Sequence, residues 1–160
     1  MDAQVKKAAL RLFTYGLYVG TSGQGDEMAA GTINWVSQAS FQPPLVMAAV
    51  KADSHLHQLI ESTGTYAINI LGAEQKDIAQ DFFRPTKREH DTLNGHPFEV
   101  STATGAPLLT ELPAWVEIRV TDTVKRGDHT VFLGEVVEAG FRDEQAKALD
   151  MWNTGWFYAG

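Results

Sequence analysis

The sequence predicts a mainly β protein: a small antiparallel barrel with roughly two or three short helices on its flank. Three observations point there. Short stretches rich in β-branched and aromatic residues outnumber the helical patterns. Trp115 to Thr121 alternates cleanly, with Val116, Ile118 and Val120 on one face and Glu117, Arg119 and Thr121 on the other. No G-x-G-x-x-G follows a predicted strand and no G-x-x-x-x-G-K-[ST] occurs, which argues against a doubly wound nucleotide fold.

The elements follow in order. Val5, Ala9, Leu12 and Phe13 share one face of a helix over residues 3–13, which Gly16 ends. Leu17 to Thr21 reads as a strand, and Gly23 to Glu27 as a polar turn into its hairpin partner. The partner runs from Met28, with Ala30 to Phe41 as one pleated stretch that mixes apolar and small polar residues. Pro43 and Pro44 cannot donate to a ladder and end it. Leu45 to Val50 is a short buried strand. Ser54 offers an N-cap to a helix carrying Leu56, Leu59 and Ile60, and Gly64 ends it. Thr65 to Leu71 is a strand. Glu74 to Phe83 is a second packed helix, with Ile78, Ala79, Phe82 and Phe83 on one side. Arg84 to His96 is a polar loop, and Phe98 to Thr110 a short strand followed by a turn. Trp115 to Thr121 and His129 to Ala139 pair as a hairpin around Lys125 to Asp128. A brief helix is expected over Arg142 to Leu149, and a strand or extended flap over Met151 to Tyr158.

One domain spanning residues 1–160 is the expectation, long enough to bury a real core. The net charge of −7 comes without a basic stripe, which speaks against nucleic acid as a partner. With no cysteine, disulfides, thiolate catalysis and cysteine-ligated metals are excluded. Neither a signal peptide nor a membrane-length apolar run is visible, so no membrane association and a cytoplasmic location are expected.

Four constellations carry chemistry. Asn34, Trp35, Ser37, Gln38 and Ser40 form either a half-solvated strand or a row of donors and acceptors facing the edge of a flat heterocycle. Lys51, Ser54, His55 and His57 form either a capped strand-to-helix turn with surface histidines or an anion seat, since a helix N-terminus, a hydroxyl and a cation converge there. Histidines two apart on a helix do not face one point, so no metal site is expected. Lys87 to His90 is a solvated charged run or supplies one lysine to a phosphate. Gly127, Asp128 and His129 form a hairpin turn or place an imidazole at a pocket rim, able to act as a proton donor near neutral pH.

The segments INWVSQASFQPPLVMAAV, SHLHQLIESTGTYAINIL, EQKDIAQDFF and GDHTVFLGEV, in that order and spacing, resemble the NAD(P)H-dependent flavin reductase-like family of FMN-binding split barrels. The early YGLYVGTS is similar to the opening of flavoredoxins. The resemblance implies a split antiparallel β-barrel, a homodimer, FMN or alternatively FAD as cofactor, and NAD(P)H as co-substrate. It also implies a soluble electron acceptor or monooxygenase partner. Carried over, Gly31, Thr32, Asn34 and Trp35 would hold the isoalloxazine and ribityl part, above Ala49, Val50 and Lys51. Ser54 and His55 would meet the phosphate, Phe82 would pack nearby, and Lys87 would reach the cofactor. His129 would stand near flavin and nicotinamide as the catalytic histidine, and Phe157 matches an aromatic of the terminal segment. The family's phosphate threonine is Leu56 here, which leaves His55 or His57 to substitute. Trp35 stands where a small residue is usual. The other implied reading is an electron-transfer protein that keeps FMN bound and takes electrons from a protein partner.

Overall fold

The structure, a computed structural model, describes residues 1–159. Helix α1 (Ala3–Leu10) is followed by β1 (Tyr18–Gln24), β2 (Glu27–Ile33), β3 (Val36–Ser40) and β4 (Leu45–Lys51). Helix α2 (His55–Thr63), β5 (Thr65–Ile70) and α3 (Lys76–Asp81) come next. A group of short strands follows: β6 (Arg88–Glu89), β7 (Thr92–Leu93), β8 (His96–Val100) and β9 (Pro107–Leu109). The chain ends with β10 (Ala114–Lys125), β11 (His129–Phe141) and a 3-10 turn at Met151–Thr154.

Seven strands form an antiparallel sheet in the order β2-β1-β5-β10-β11-β4-β3. Its two edges, β2 and β3, are consecutive in the chain and separated only by Asn34 and Trp35, and β2 also touches β4. The sheet therefore curls until its edges meet at that corner, as a barrel requires. Two irregularities in the β10–β11 register, at Glu117/Ile118 and Val120/Asp122, help it bend. Gly134 lies at the second: a Cβ there would sit 2.4 Å from Ile118 Cγ2 and 2.5 Å from the Arg119 carbonyl oxygen, so only glycine fits.

Inside the curl, Ile33, Ala48, Val50, Tyr66, Ile68, Ile118 and Phe132 pack with Leu56, Leu59 and Ile60 of α2. The Ser54 hydroxyl caps α2 by accepting from His57 N at 3.1 Å, and Gly64 closes it at φ +69°. A second core lies outside the barrel wall, where Leu17, Val19 and Met28 meet Leu71, Phe82, Leu93 and Leu109. It holds α3 and the small sheet β6-β7-β8-β9 against the large one.

Polar stitches fix how the two sheets meet. Asn69 Nδ2 donates to the Val19 carbonyl and to Thr21 Oγ1, while its Oδ1 accepts from Leu109 N. Thr21 Oγ1 donates to the Pro107 carbonyl at 2.6 Å. Buried Glu117 accepts from Ser101 Oγ and from Thr104 Oγ1. The face of β10 opposite Val116 and Ile118 is thus covered at Glu117 by the small sheet.

Several expectations change. The stretch over Ala30 to Phe41 is two strands, because Asn34 and Trp35 turn the chain from β2 into β3. Residues Arg142 to Leu149 are not helical. Their backbone is committed elsewhere, Lys147 O accepting from Ala73 N and Leu149 N donating to Leu71 O. The Arg142 side chain reaches Glu99 and the carbonyls of Leu109 and Leu112. The helix expected through Phe83 stops at Asp81, which leaves Phe83 exposed against Trp156. Met151 to Tyr158 begins as a 3-10 turn rather than a strand.

The Tyr66 hydroxyl is buried without a partner, and burial pushes its ionisation well above the usual value of 10.0. Its raised folded-state value adds stability that is fully present below pH 10 and is lost as the pH climbs above it. Tyr66→Phe removes an unpaired buried donor, so urea midpoints at neutral pH should be unchanged or higher, and the alkaline loss smaller. Glu117→Ala, which strands two hydroxyl donors, should instead lower stability by about 1–3 kcal/mol in the same measurement.

Candidate functional site

At the β2–β3 corner, Ala49 N donates to the Trp35 carbonyl at 2.9 Å and Val36 N donates to the Asn34 carbonyl at 3.1 Å. These bonds turn the Trp35 side chain into an open groove of about 490 Å³, lined also by Phe13, Thr14, Tyr15, Ser37, Met47 and Ala49. That volume lies in the range of small-ligand sites. The Trp35 Nε1–H is buried and has no acceptor. A buried donor without a partner is costly. Neighbouring Asn34 is buried too, its Nδ2 donating to Met151 Sδ at 3.3 Å.

Beside the corner the hairpin of β10 and β11 presents His129 at the first position of β11, in register with Lys51 of β4. The imidazole packs on the Trp35 indole with centroids 4.5 Å apart. Its Nδ1 lies 2.8 Å from Asp128 Oδ1 and its Nε2 3.0 Å from the Tyr158 hydroxyl. The hydrogen bond from His129 holds the Asp128 carboxyl below its usual range. Partial burial pushes the Tyr158 hydroxyl up. His129, expected at a pocket rim, thus stands beside Trp35, with Tyr158 as a neighbour that the sequence did not single out.

The residues expected to form an anion seat lie around the start of α2. Ser54 Oγ donates to the Lys51 carbonyl at 2.8 Å besides capping the helix, so its hydroxyl serves the turn itself. Lys51 Nζ pairs with Asp53 at 3.2 Å, and both are exposed. His55 is exposed and lies 3.6 Å from Glu27. His57 is not a surface residue: it is buried, and its Nε2 pairs with Thr130 Oγ1 at 2.8 Å. It therefore cannot stand in for the absent threonine, whose place is taken by the core side chain Leu56.

The other candidates fall around this centre. Gly31 packs under Leu56, where a Cβ would meet Leu56 Cδ2 at 3.7 Å. Thr32 is engaged by α3 and its C-cap, its N donating to the Phe82 carbonyl and its hydroxyl to the Ala79 carbonyl. The side chains of Val50 and Phe82 belong to the two cores, so toward a ligand Val50 offers backbone and Phe82 support from behind. Lys87 extends from the 84–96 loop and pairs with Glu89 at 2.7 Å. Phe157 is exposed, with the Arg11 guanidinium 4.8 Å above its ring. Asn34, Trp35, Ala49, Lys51 and His129 are thus brought together, with Ser54 and His55 at the adjoining helix start. Lys87 and Phe157 stand on separate segments. Phe13, Thr14 and Tyr15 also line the groove; helical spacing marked Phe13 only as part of a packing face, and no signal singled out Thr14 or Tyr15.

The fold is a curled antiparallel barrel with an open groove at its corner, and comparison with known proteins says which family shares it. The family model described as "Flavin reductase like domain" matches residues 10–159, so the chain belongs to that family. It is 34% identical over 131 residues to the "NADH-dependent FAD reductase" of Streptomyces globisporus, covering 79% of this chain and 70% of that one. It is 26% identical over 157 residues to the "Probable flavin reductase" of Rhizobium meliloti, covering 98% of this chain but spanning about half (49%) of that protein's length. Among solved structures it superposes on the Streptomyces globisporus C-1027 NADH:FAD oxidoreductase SgcE6 in complex with NAD and FAD fragments. There the TM-score is 0.76 and the identity 29%, with 91% of this chain and 84% of that chain covered. The styrene monooxygenase flavin reductase (SMOB) of Pseudomonas putida S12 gives a TM-score of 0.78 at 25% identity, with 95% and 94% covered.

Because the Ser54 hydroxyl is committed to the cap, Ser54→Ala should cost about 1 kcal/mol of folding stability, read as a lowered urea midpoint without added flavin. If the same variant also weakens flavin binding, a flavin titration should show an effect of no more than this size.

Proposed function

We propose that the chain is a flavin reductase that uses NADH as hydride donor and FMN or FAD as acceptor. The observation that carries the reading is the open groove at the β2–β3 corner, with its unpartnered indole N–H and His129 packed beside it. A bound flavin would supply the acceptor chemistry for a hydride from NADH. The protein's part is to hold, orient and shield.

Trp35 offers a flat apolar wall and a donor, and Ser37 and the backbone of Ala49 line the same groove. The first N–H groups of α2, together with Lys51 and His55, favour an anion at the helix start. Lys87 can exchange its partner Glu89 for a phosphate, since that pair is solvent-exposed and weak. His129, beside Trp35, would contact and orient a bound nucleotide rather than abstract a proton, since hydride transfer needs no general base.

A homodimer is part of the proposal. Helix α1 buries none of its residues, while Val5, Leu12 and Phe13 are 67%, 70% and 59% exposed. A second copy would cover an apolar surface that a lone chain leaves to water. The reduced flavin would pass to a soluble acceptor such as a monooxygenase component, a reading supported by the similarity to the styrene monooxygenase reductase. We also take residues 1–160 as one domain in the cytoplasm, the first supported by the polar stitches between the sheets. Among the described residues, no helix is long and apolar enough to cross a membrane.

Mixed anaerobically with NADH and FMN or FAD, the protein should bleach the yellow flavin absorbance far faster than NADH does alone. Retention of flavin with no bleaching would favour electron delivery by a protein partner instead. Lys51→Ala should raise the flavin dissociation constant several-fold in a fluorescence titration, and more at low salt than at high. Sedimentation should give twice the chain mass, and Phe13→Asp should shift it toward one.

A further inference from the structure

We propose that Tyr158 is a positioning residue for His129: together with Asp128 it grips the imidazole at both nitrogens and fixes its tautomer and ring orientation against Trp35. This deepens the reductase reading and rests on it for its catalytic consequence.

Both ring nitrogens are engaged, and the Trp35 indole packs against the ring. Asp128 Oδ1 lies 2.8 Å from Nδ1 and the Tyr158 hydroxyl 3.0 Å from Nε2. Trp35 lies against both rings, 4.5 Å from His129 and 5.4 Å from Tyr158. The His129 side chain keeps only 12% of its exposure, although Asp128 beside it is almost fully open. An ionised carboxylate can only accept, so Nδ1 carries the hydrogen. In the neutral imidazole Nε2 is then the acceptor, and the Tyr158 O–H donates to it. If the ring gains a proton, Nε2–H donates and the phenol oxygen accepts. The same hydroxyl therefore serves either protonation state without moving the ring.

Tyr158 is held in place by its own segment. Trp156 N donates to Thr154 Oγ1 at 3.0 Å, and the Trp156 ring meets Phe83 edge-on, with Lys76 Nζ 4.8 Å from its centroid. Phe157 lies under Arg11. These contacts anchor the two residues before Tyr158 and present its ring to the mouth of the hairpin. The charged groups around the pair are Lys51, Asp53 and Asp128. No other hydrogen-bond partner reaches the imidazole nitrogens among the described residues. Any ligand that addresses His129 therefore meets a ring whose direction Tyr158 has already set.

Tyr158→Phe keeps the aromatic contact with Trp35 and deletes only the hydroxyl. Its folding is secured because the side chain is about half exposed. Histidine-ring nitrogen NMR of the protein without nucleotides, assigned with His129→Gln, should show His129 as the Nδ1–H tautomer in the parent. In Tyr158→Phe the Nε2 resonance should move toward that of a free acceptor and broaden. With NADH and flavin, Tyr158→Phe should lower kcat about three- to tenfold while leaving the flavin dissociation constant unchanged. In a His129→Gln background the same change should add nothing, because Tyr158 acts through the imidazole. Unchanged ring resonances, or effects of the two substitutions that multiply, would overturn the proposal. A parent protein that leaves NADH unoxidised would remove the reductase reading, and the ring spectra would then decide alone for or against Tyr158.

Discussion

The hydrogen bond from Ala49 N to the Trp35 carbonyl is the constraint on which the rest of the molecule depends. It turns the chain where β2 would otherwise run straight on, and so brings the two free edges of the large sheet to one corner. An open sheet edge is a liability; here the β2 edge is covered by Phe82 and Thr86, which accept from Thr32 N and Ala30 N, while β3 stays open to solvent at its centre. The same turn puts the indole at the lip of the groove. From Trp35 outward the elements arrive in order: β4 beneath, the β10–β11 hairpin with His129 alongside, and the start of α2 one strand-length further on. The corner and the groove are the same local event.

Much of this was legible in the sequence, and for identifiable reasons. Pro43 and Pro44 punctuate the chain, Ser54 and Gly64 bracket α2, and the alternation from Trp115 defines β10. These are local signals, and local physics decides them. The association of Asn34, Trp35, Lys51, Ser54 and His129 with one region also came from the sequence, because the motifs around them keep a characteristic order. The family match over residues 10–159 rests on that same order.

What was not legible is long-range. A helix over Arg142 to Leu149 agrees with composition, but backbone bonds to Leu71 and Ala73, some seventy residues away, pull it into extended form. Nothing near His57 announces that Thr130 receives its ring nitrogen in the core. The break at Asn34 is easy to miss because β-prone Thr32, Ile33, Trp35 and Val36 surround it, and only the partner bond from β4 makes it a corner. Tyr158 is simplest of all: a tyrosine in an aromatic-rich segment carries no spacing signal, and its role depends on where two distant turns bring it.

The buried carboxylate on β10 has a consequence for how this chain can vary. Glu117 receives hydroxyls from Ser101 and Thr104, both in the turn between β8 and β9. Lengthening that turn by even one residue would lift the hydroxyls away and leave an acceptor stranded in the interior. Surface loops normally tolerate insertions, and this one should not. New length is better accommodated at Gly25 or Gly127, where a side chain would meet open space. Variation in size among such barrels would then gather at those turns, while the strap across Glu117 keeps its length.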